Sequence, residues 1–287
     1  SLAGGGHMSQ GRVPVCGEVS WRGLEPSNLL HVCSCGHIDD YDPLLAESRR
    51  QYLEAEREAG LEIVVAHVAG RPLGFAEIVS LETSARDVEG DHAVLLHCVN
   101  VFERGRGLGR ALVTEVSRRA EAQRRGVVVD ACSDVWGFMP EEFFLRLGFN
   151  LAEARGRRRL MYRNLPPEAR QPHYLEPRYD PPPAAGVQVL VDVFFTPLCS
   201  GRLSEEAAVM RRAAAPYGDR ILVREWDASD PAIRKRFGIA RAIFVNGLMR
   251  PSDDTIALDE AAALIADALA RPALTQPLWD DSISRLF

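Results

Sequence analysis

The residues best placed to do chemistry lie in the run Val101-Phe102-Glu103-Arg104-Gly105-Arg106-Gly107-Leu108-Gly109-Arg110. Glycines let backbone N–H groups approach a phosphate closely, and the start of a helix favours negative charge. The segment is therefore expected to hold an anion such as a pyrophosphate. It lacks the Lys-Ser/Thr ending of a P-loop, and its Gly105-x-Gly107-x-Gly109 spacing is not that of a dinucleotide-binding turn, which leaves a phosphate-bearing ligand of another type. A second concentration is His31-Val32-Cys33-Ser34-Cys35-Gly36-His37. On an extended segment His31, Cys33, Cys35 and His37 would share one face, whereas on a helix they would disperse. Structural zinc sites separate their ligand pairs by longer loops, so we expect no metal here and expect Cys33 to pack inward.

The elements that must position the glycine loop follow from periodicity. His92 to Val101 is an apolar strand, and Gly107 to Arg124 repeats Leu108, Leu112, Val113, Val116 and Ala120 at helical spacing. Upstream, Gly17 to Leu24 is expected to be a short strand. Pro26 to Glu58 reads as helical with a break at Asp42-Pro43, and Leu61 to Ala69 with Pro72 to Leu81 forms a hairpin turned by Gly70-Arg71. Downstream come a strand at Gly126 to Ala131, a short helix at Pro140 to Leu147 and two strands between Phe149 and Tyr162. From Leu165 to Gly186 prolines crowd the chain, which predicts an extended, semi-rigid linker. Beyond it the pattern is β-α-β-α-β-β-α, with Asn246-Gly247 as a hairpin turn.

The bulk numbers exclude several classes. The 287 residues suggest two domains, the 46% hydrophobic content suffices for packed cores, and a net charge of −6 without a basic stripe argues against a nucleic-acid partner. No apolar run approaches the ~20 residues that span a bilayer, so we expect no membrane partner and a cytoplasmic location. The 6 cysteines are too scattered for a secreted disulfide scaffold. Residues 1–8 resemble a cloning remnant followed by a natural start at Met8.

Arg104, Gly107 and Gly109 match the [RQ]-x-x-G-x-[GA] motif of the GNAT superfamily, and Glu142-Phe143-Phe144-Leu145-Arg146-Leu147-Gly148-Phe149 resembles that family's short helix ending in a Leu-Gly-Phe triplet. The resemblance spans about Gly17 to Arg163. It implies an α/β (α+β) fold with a mixed, splayed central sheet, acetyl-CoA or another acyl-CoA as cosubstrate, and transfer to a small-molecule amine. The implied cofactor contacts are Val99, Val101, Arg104, Arg106, Gly107, Leu108, Gly109 and Arg110. GNAT enzymes often use a tyrosine of the short helix as the acid for departing CoA, and here that position aligns with Phe144. Cys132, Ser133 and Asp134 are the nearest polar alternatives, while Glu77 and His97 are candidate bases. Cys98 and Cys132 are expected to behave as buried small apolar groups.

The stretch around His31 to His37 also resembles bacterial GNAT proteins that carry a YoaP-like C-terminal domain. Asp192 to Cys199 and Phe237 to Gly247 are similar to the opening and later strands of a thioredoxin or glutaredoxin fold. Cys199-Ser200-Gly201-Arg202 lacks a second cysteine, and Arg241 stands where glutaredoxins have a cis-proline. Dithiol exchange within the motif is thereby excluded, and a substrate-positioning or dimerisation module is expected, so that a homodimer is compatible with the reading. The expected division is a GNAT domain over 9–163, a linker over 164–186 and a thioredoxin-like α/β domain over 187–287. Two other function classes stay open: a non-catalytic acyl-CoA sensor or scaffold, and a thiol- or metal-responsive binding protein resting on Cys33, Cys35 and Cys199.

Overall fold

A computed structural model of the chain describes residues 18–35, 43–58, 60–133, 139–182, 184–196, 206–250 and 256–271. The first sheet contains β1 (Val19–Arg22), β2 (Glu62–Val68), β3 (Arg71–Ser80), β5 (Ala93–Val101), β6 (Gly126–Cys132), β7 (Asn150–Arg155) and β8 (Arg158–Arg163). Its strand order is β1-β2-β3-β5-β6-β8-β7. Every neighbouring pair runs antiparallel except β5 with β6. The sheet is therefore mixed, with its one parallel pair near the centre.

Helices cover both faces, which is why β2, β3 and β5 read as nearly continuous apolar runs rather than alternating ones. On one face lies α3 (Leu108–Ala122), whose Leu108, Leu112, Val113, Val116 and Ala120 are all buried at the spacing read from the sequence. On the other lie α1 (Leu29–Cys33) and α2 (Pro43–Glu58), contributing Val32, Cys33, Tyr52 and Leu53 to a second apolar cluster. A short helix, α4 (Glu141–Leu145), follows β6 and buries Phe144.

The second sheet, in the order β11-β10-β12-β13, is built from β10 (Val189–Phe195), β11 (Ile221–Asp227), β12 (Ala242–Val245) and β13 (Leu248–Arg250). β10 and β11 are parallel, and the other two contacts are antiparallel. One face packs on α5 (Glu206–Ala214) and α7 (Leu258–Ala270), the other on α6 (Pro231–Phe237). Asp230 caps α6 by accepting from the Ala232 N–H at 2.8 Å, and Pro231 occupies its first turn. Arg241 pairs with the buried Glu206, tying the start of β12 to α5.

The proline-rich segment is docked rather than free. Within it β9 (His173–Tyr174) pairs antiparallel with β4 (Val88–Glu89), a ribbon on the connection between β3 and β5. Tyr174 is buried in that same second apolar cluster, on the α1 and α2 side of the first sheet, and five residues later Tyr179 stacks on Phe244 of the second sheet with ring centroids 3.7 Å apart. Between these anchors the strap passes over the end of α6. Gly238 caps that helix at φ +62°, and a Cβ there would collide with the Glu176 carbonyl, so only glycine satisfies both the turn and the approach.

Candidate functional site

The two central strands diverge. Pairing between β5 and β6 runs only from Ala93 opposite Gly126 to Leu96 opposite Val129, while β5 continues to Val101 and β6 to Cys132. The unpaired edge of β5 beyond Leu96, with Val99 and Val101 half-buried on the α3 side, opens a wedge in the sheet. At its far end β5 enters the glycine turn. Gly105 and Gly107 take φ values of +83° and +74°, the left-handed region that a side chain resists, and Gly107 is the N-cap of α3. A Cβ at Gly109 would stand 3.3 Å from the Phe143 ring, so α4 closes down on the first turn of α3.

No backbone N–H from Glu103 to Arg110 donates to another described residue. Arg104 and Arg110 are exposed, and Arg106 is held by Glu103. A turn of unspent amides at the positive end of a 15-residue helix, beside arginines and next to an open strand edge, is suited to a diphosphate with an extended tail. Among the expected contact residues, Leu108 is instead a core residue, so it can contribute only its backbone.

His97 sits where the wedge begins. Glu77 pairs with Cys98 and Ile78 with Leu96, leaving His97 as the extra residue of a β-bulge, a device that re-aims a side chain. It is 3% exposed, and neither ring nitrogen has a hydrogen-bond partner. Burial first, then the charges of Arg86, Arg49 and Arg234, hold the imidazole well below its ordinary value and keep it neutral at pH 7.

Glu77 is also buried, but its carboxylate forms an ion pair with Arg49 of α2. It serves as the counter-ion that holds α2 on the sheet. Cys132 ends β6, and burial followed by Asp130 raises its thiol above the ordinary value. In β6 Val127, Val129 and Ala131 pack on the α3 side, so by strand alternation Asp130 and Cys132 face the opposite side of the sheet. Ser133 is exposed, and its N–H donates to the Arg157 carbonyl at 2.9 Å, so it closes the strand end. Asp134 lies outside the described residues. Phe144 is wholly buried and packs edge-on against Phe143 and Phe149, so this position carries no acid.

The Cys-His segment divides as a helix demands. Cys33 turns into the core, where burial pushes its thiol up to about 11, while His31 turns toward Phe102. Cys35 accepts through its carbonyl from Asn100 Nδ2 at 3.0 Å, linking α1 to the unpaired edge of β5. His37 lies outside the described residues, and no metal-holding cluster occurs among those described. Cys199 also lies outside them.

Several residues that shape the site carry no local sequence signal. Arg158 grips Asp87 with two bonds of 2.6 and 2.7 Å and reaches Asp130 at 2.7 Å. Tyr174 donates to Asp130 at 2.8 Å, with the Arg155 and Arg158 guanidiniums over its ring. This buried cluster fixes the connection that carries Arg86.

No family model matches the chain, and no curated protein matches it. Among solved structures, an N-acetyltransferase of Staphylococcus aureus is similar at 16% identity and a TM-score of 0.36, over 50% of this chain and 96% of its own. A GNAT-family acetyltransferase of Brucella melitensis in complex with acetyl-CoA aligns at 16% identity and a TM-score of 0.36, over 52% of this chain and 90% of its own. The PaiA N-acetyltransferase of Thermoplasma acidophilum in complex with coenzyme A aligns at 11% identity and a TM-score of 0.36, over 51% and 98%. At these scores the functional reading rests on the chain's own geometry.

Proposed function

We propose that the chain is a GNAT-type acyltransferase that uses acetyl-CoA to acetylate a small-molecule amine. The observation that carries this reading is the junction of the wedge and the glycine turn, where an open strand edge leads directly into a loop of unspent amides at a helix N-terminus. The turn would hold the CoA pyrophosphate. The edge of β5 from His97 to Val101 would receive the pantetheine and place the thioester near the bulge.

In the transfer, the amine nitrogen attacks the thioester carbonyl, the C–S bond breaks, and CoA leaves as its thiol. Neutral His97 is the group available to accept the amine proton, directly or through a water. Cys132, protonated at neutral pH, can supply a proton to the departing thiolate. The raised thiols of Cys33 and Cys132 favour direct transfer over a cysteine relay, because the thiolate is the nucleophilic form. After incubation with acetyl-CoA alone, intact mass should show no stoichiometric acetyl adduct.

The four-stranded sheet, with a parallel pair followed by an antiparallel hairpin, supports a thioredoxin-like reading of the second unit, in a positioning rather than a redox role. A second functional reading, a non-catalytic acyl-CoA sensor, draws on Phe143 and Phe144 where the acid is expected. The deciding experiment is a melting series with acetyl-CoA followed by an acceptor screen. Acetyl-CoA should raise the melting temperature, since binding to the folded state stabilises it. Absence of any shift with acetyl-CoA or longer acyl-CoAs would remove both readings, and binding without turnover on any amine would leave the sensor.

A further inference from the structure

The bulge in β5 sets two consecutive side chains on one face of the sheet. Leu96 and Val99 pack on the α3 side, while Cys98 lies in the apolar cluster under α1 and α2, and His97, following Leu96, alternates to that same face. His97 and Cys98 both oppose Glu77, which alternation with Phe75 and Val79 also puts under α2. Glu77 spends Oε1 on Arg49, whose guanidinium carbon stands 5.3 Å from the centre of the Tyr52 ring. This chain of contacts leaves polar atoms over. Glu77 Oε2, both nitrogens of His97 and the Tyr52 hydroxyl are buried without a hydrogen-bond partner. Buried polar atoms are nearly always paired, so their concentration on one face marks a place for a ligand. A row of rings leads toward it. Phe75, two residues from Glu77 on the same face, has its ring centroid 6.0 Å from that of Phe102, which in turn lies 6.0 Å from that of His31. Phe102 and His31 are half-buried, so the row runs from the surface inward.

We infer that this face is the acceptor site and takes a primary ammonium on an apolar body, the ammonium donating to Glu77 Oε2, His97 and the Tyr52 hydroxyl, and the body lying along Phe75, Phe102 and His31. An ammonium has three N–H donors, and each of the three side chains has an acceptor to spare. The bond to the carboxylate is charge-assisted, and the apolar body gains by leaving water for the rings. A hydroxyl acceptor could donate to only one of the three and would leave the others buried and unpaired. In the transfer the ammonium gives one proton to His97, and the freed amine forms the C–N bond as the C–S bond breaks. The second proton lost by the nitrogen balances the one taken up by the CoA thiolate. This inference rests on the acyltransferase reading.

The test uses the full chain with saturating acetyl-CoA and three acceptors, 2-phenylethylamine, hexylamine and ethanolamine, following CoA thiol release and product mass. The two apolar amines should exceed ethanolamine at least ~10-fold in kcat/KM, the size expected of burying two or more methylenes. From pH 7 to pH 8.5 an alkylamine is almost wholly ammonium, so KM in total amine should stay flat, whereas a site that takes the neutral amine would show KM falling ~10-fold per pH unit. Tyr52→Phe keeps the ring against Arg49 and removes only the hydroxyl. It should raise KM for 2-phenylethylamine ~10-fold, the size of one hydrogen bond to a charged group, with the melting shift by acetyl-CoA unchanged. Glu77→Gln keeps an oxygen for Arg49 and should raise KM further, and if the lost charge unfolds the chain, Tyr52→Phe and the pH profile decide. An unchanged KM in Tyr52→Phe, a KM that falls with pH as for the neutral amine, ethanolamine acetylated as well as the apolar amines, or acetyl-CoA binding with none of the three acetylated would each overturn the inference while leaving cofactor binding intact. Absence of the acetyl-CoA shift in the unmodified chain would instead remove the acyltransferase reading, and this inference with it.

Discussion

Gly107 and His97 state the problem at the scale of single residues, because Gly107 adopts a backbone that other residues resist and His97 is buried without hydrogen-bond partners. At φ +74° a β-branched side chain at Gly107 pays the left-handed penalty of ~1–2 kcal/mol and also crowds the amides of the turn. Gly107→Val should therefore abolish the melting shift with acetyl-CoA while lowering the melting temperature of the free protein only modestly. His97 is buried with both nitrogens unpartnered, and its folded-state value lies below the ~6.5 of an unfolded histidine. The sign follows directly: below about pH 6.5 the unfolded chain takes up a proton that the folded chain resists, so stability falls as the solution is acidified. His97→Gln removes that dependence. Urea unfolding at pH 7.5 and pH 5.5 should show a smaller loss on acidification for the variant than for the unmodified protein, and equal losses would contradict the assigned burial.

At the scale of elements, the connection carrying Asp87 is held from below by Arg158 of β8 and from the side by the β4–β9 ribbon. Burial alone would raise the Asp87 carboxyl, but Arg158 overcomes this and draws it below its ordinary range. A depressed carboxylate contributes stability above its unfolded value of ~3.9, and loses it as the pH falls through the lower folded value. Breaking the buried pair with Arg158→Ala should cost ~3–5 kcal/mol at pH 7, because it leaves buried carboxylates uncompensated. The deficit relative to the unmodified protein should narrow toward pH 3, as a urea titration at both pH values would show. This network also marks where sequence reading stops. Helix α3, the hairpin of β2 and β3, and the glycine turn were legible because their signals are local: a 3.6-residue period, a two-residue turn, three glycines in five residues. Arg158, Asp87, Asp130 and Tyr174 are separated by up to 87 positions in the chain, as 174 minus 87 gives, and no spacing rule joins them. The β4–β9 ribbon, with two residues per strand, is too short for a periodic pattern. Glu77 was visible as a carboxylate in a strand, whereas its partner Arg49 lies on a helix whose docking the sequence does not specify.

At the scale of the whole molecule, the proline-rich strap decides how the two sheets behave together. A linker that only tethers lets its domains move independently, and composition suggested an extended, semi-rigid spacer with no contacts of its own. Instead Tyr174 is sealed into the first unit and Tyr179 into the second, with Arg178 N–H donating to the Phe237 carbonyl at 2.6 Å between them. A chain ending at Arg163 would lose the ribbon, the Tyr174 bond to Asp130 and the packing over Arg158, and should melt several degrees below a chain ending at Glu176. Equal melting temperatures would show the strap to be dispensable. The strap bears equally on modularity. Recombination exchanges domains freely only where few contacts cross the junction, and here the junction residues are core residues of both partners. The first unit grafted onto a different appendage would keep its glycine turn and yet lose the footing of the connection that carries Asp87. The pair is thus expected to be inherited as a unit, and an engineer would do better to alter α6 in place than to exchange the domain that bears it.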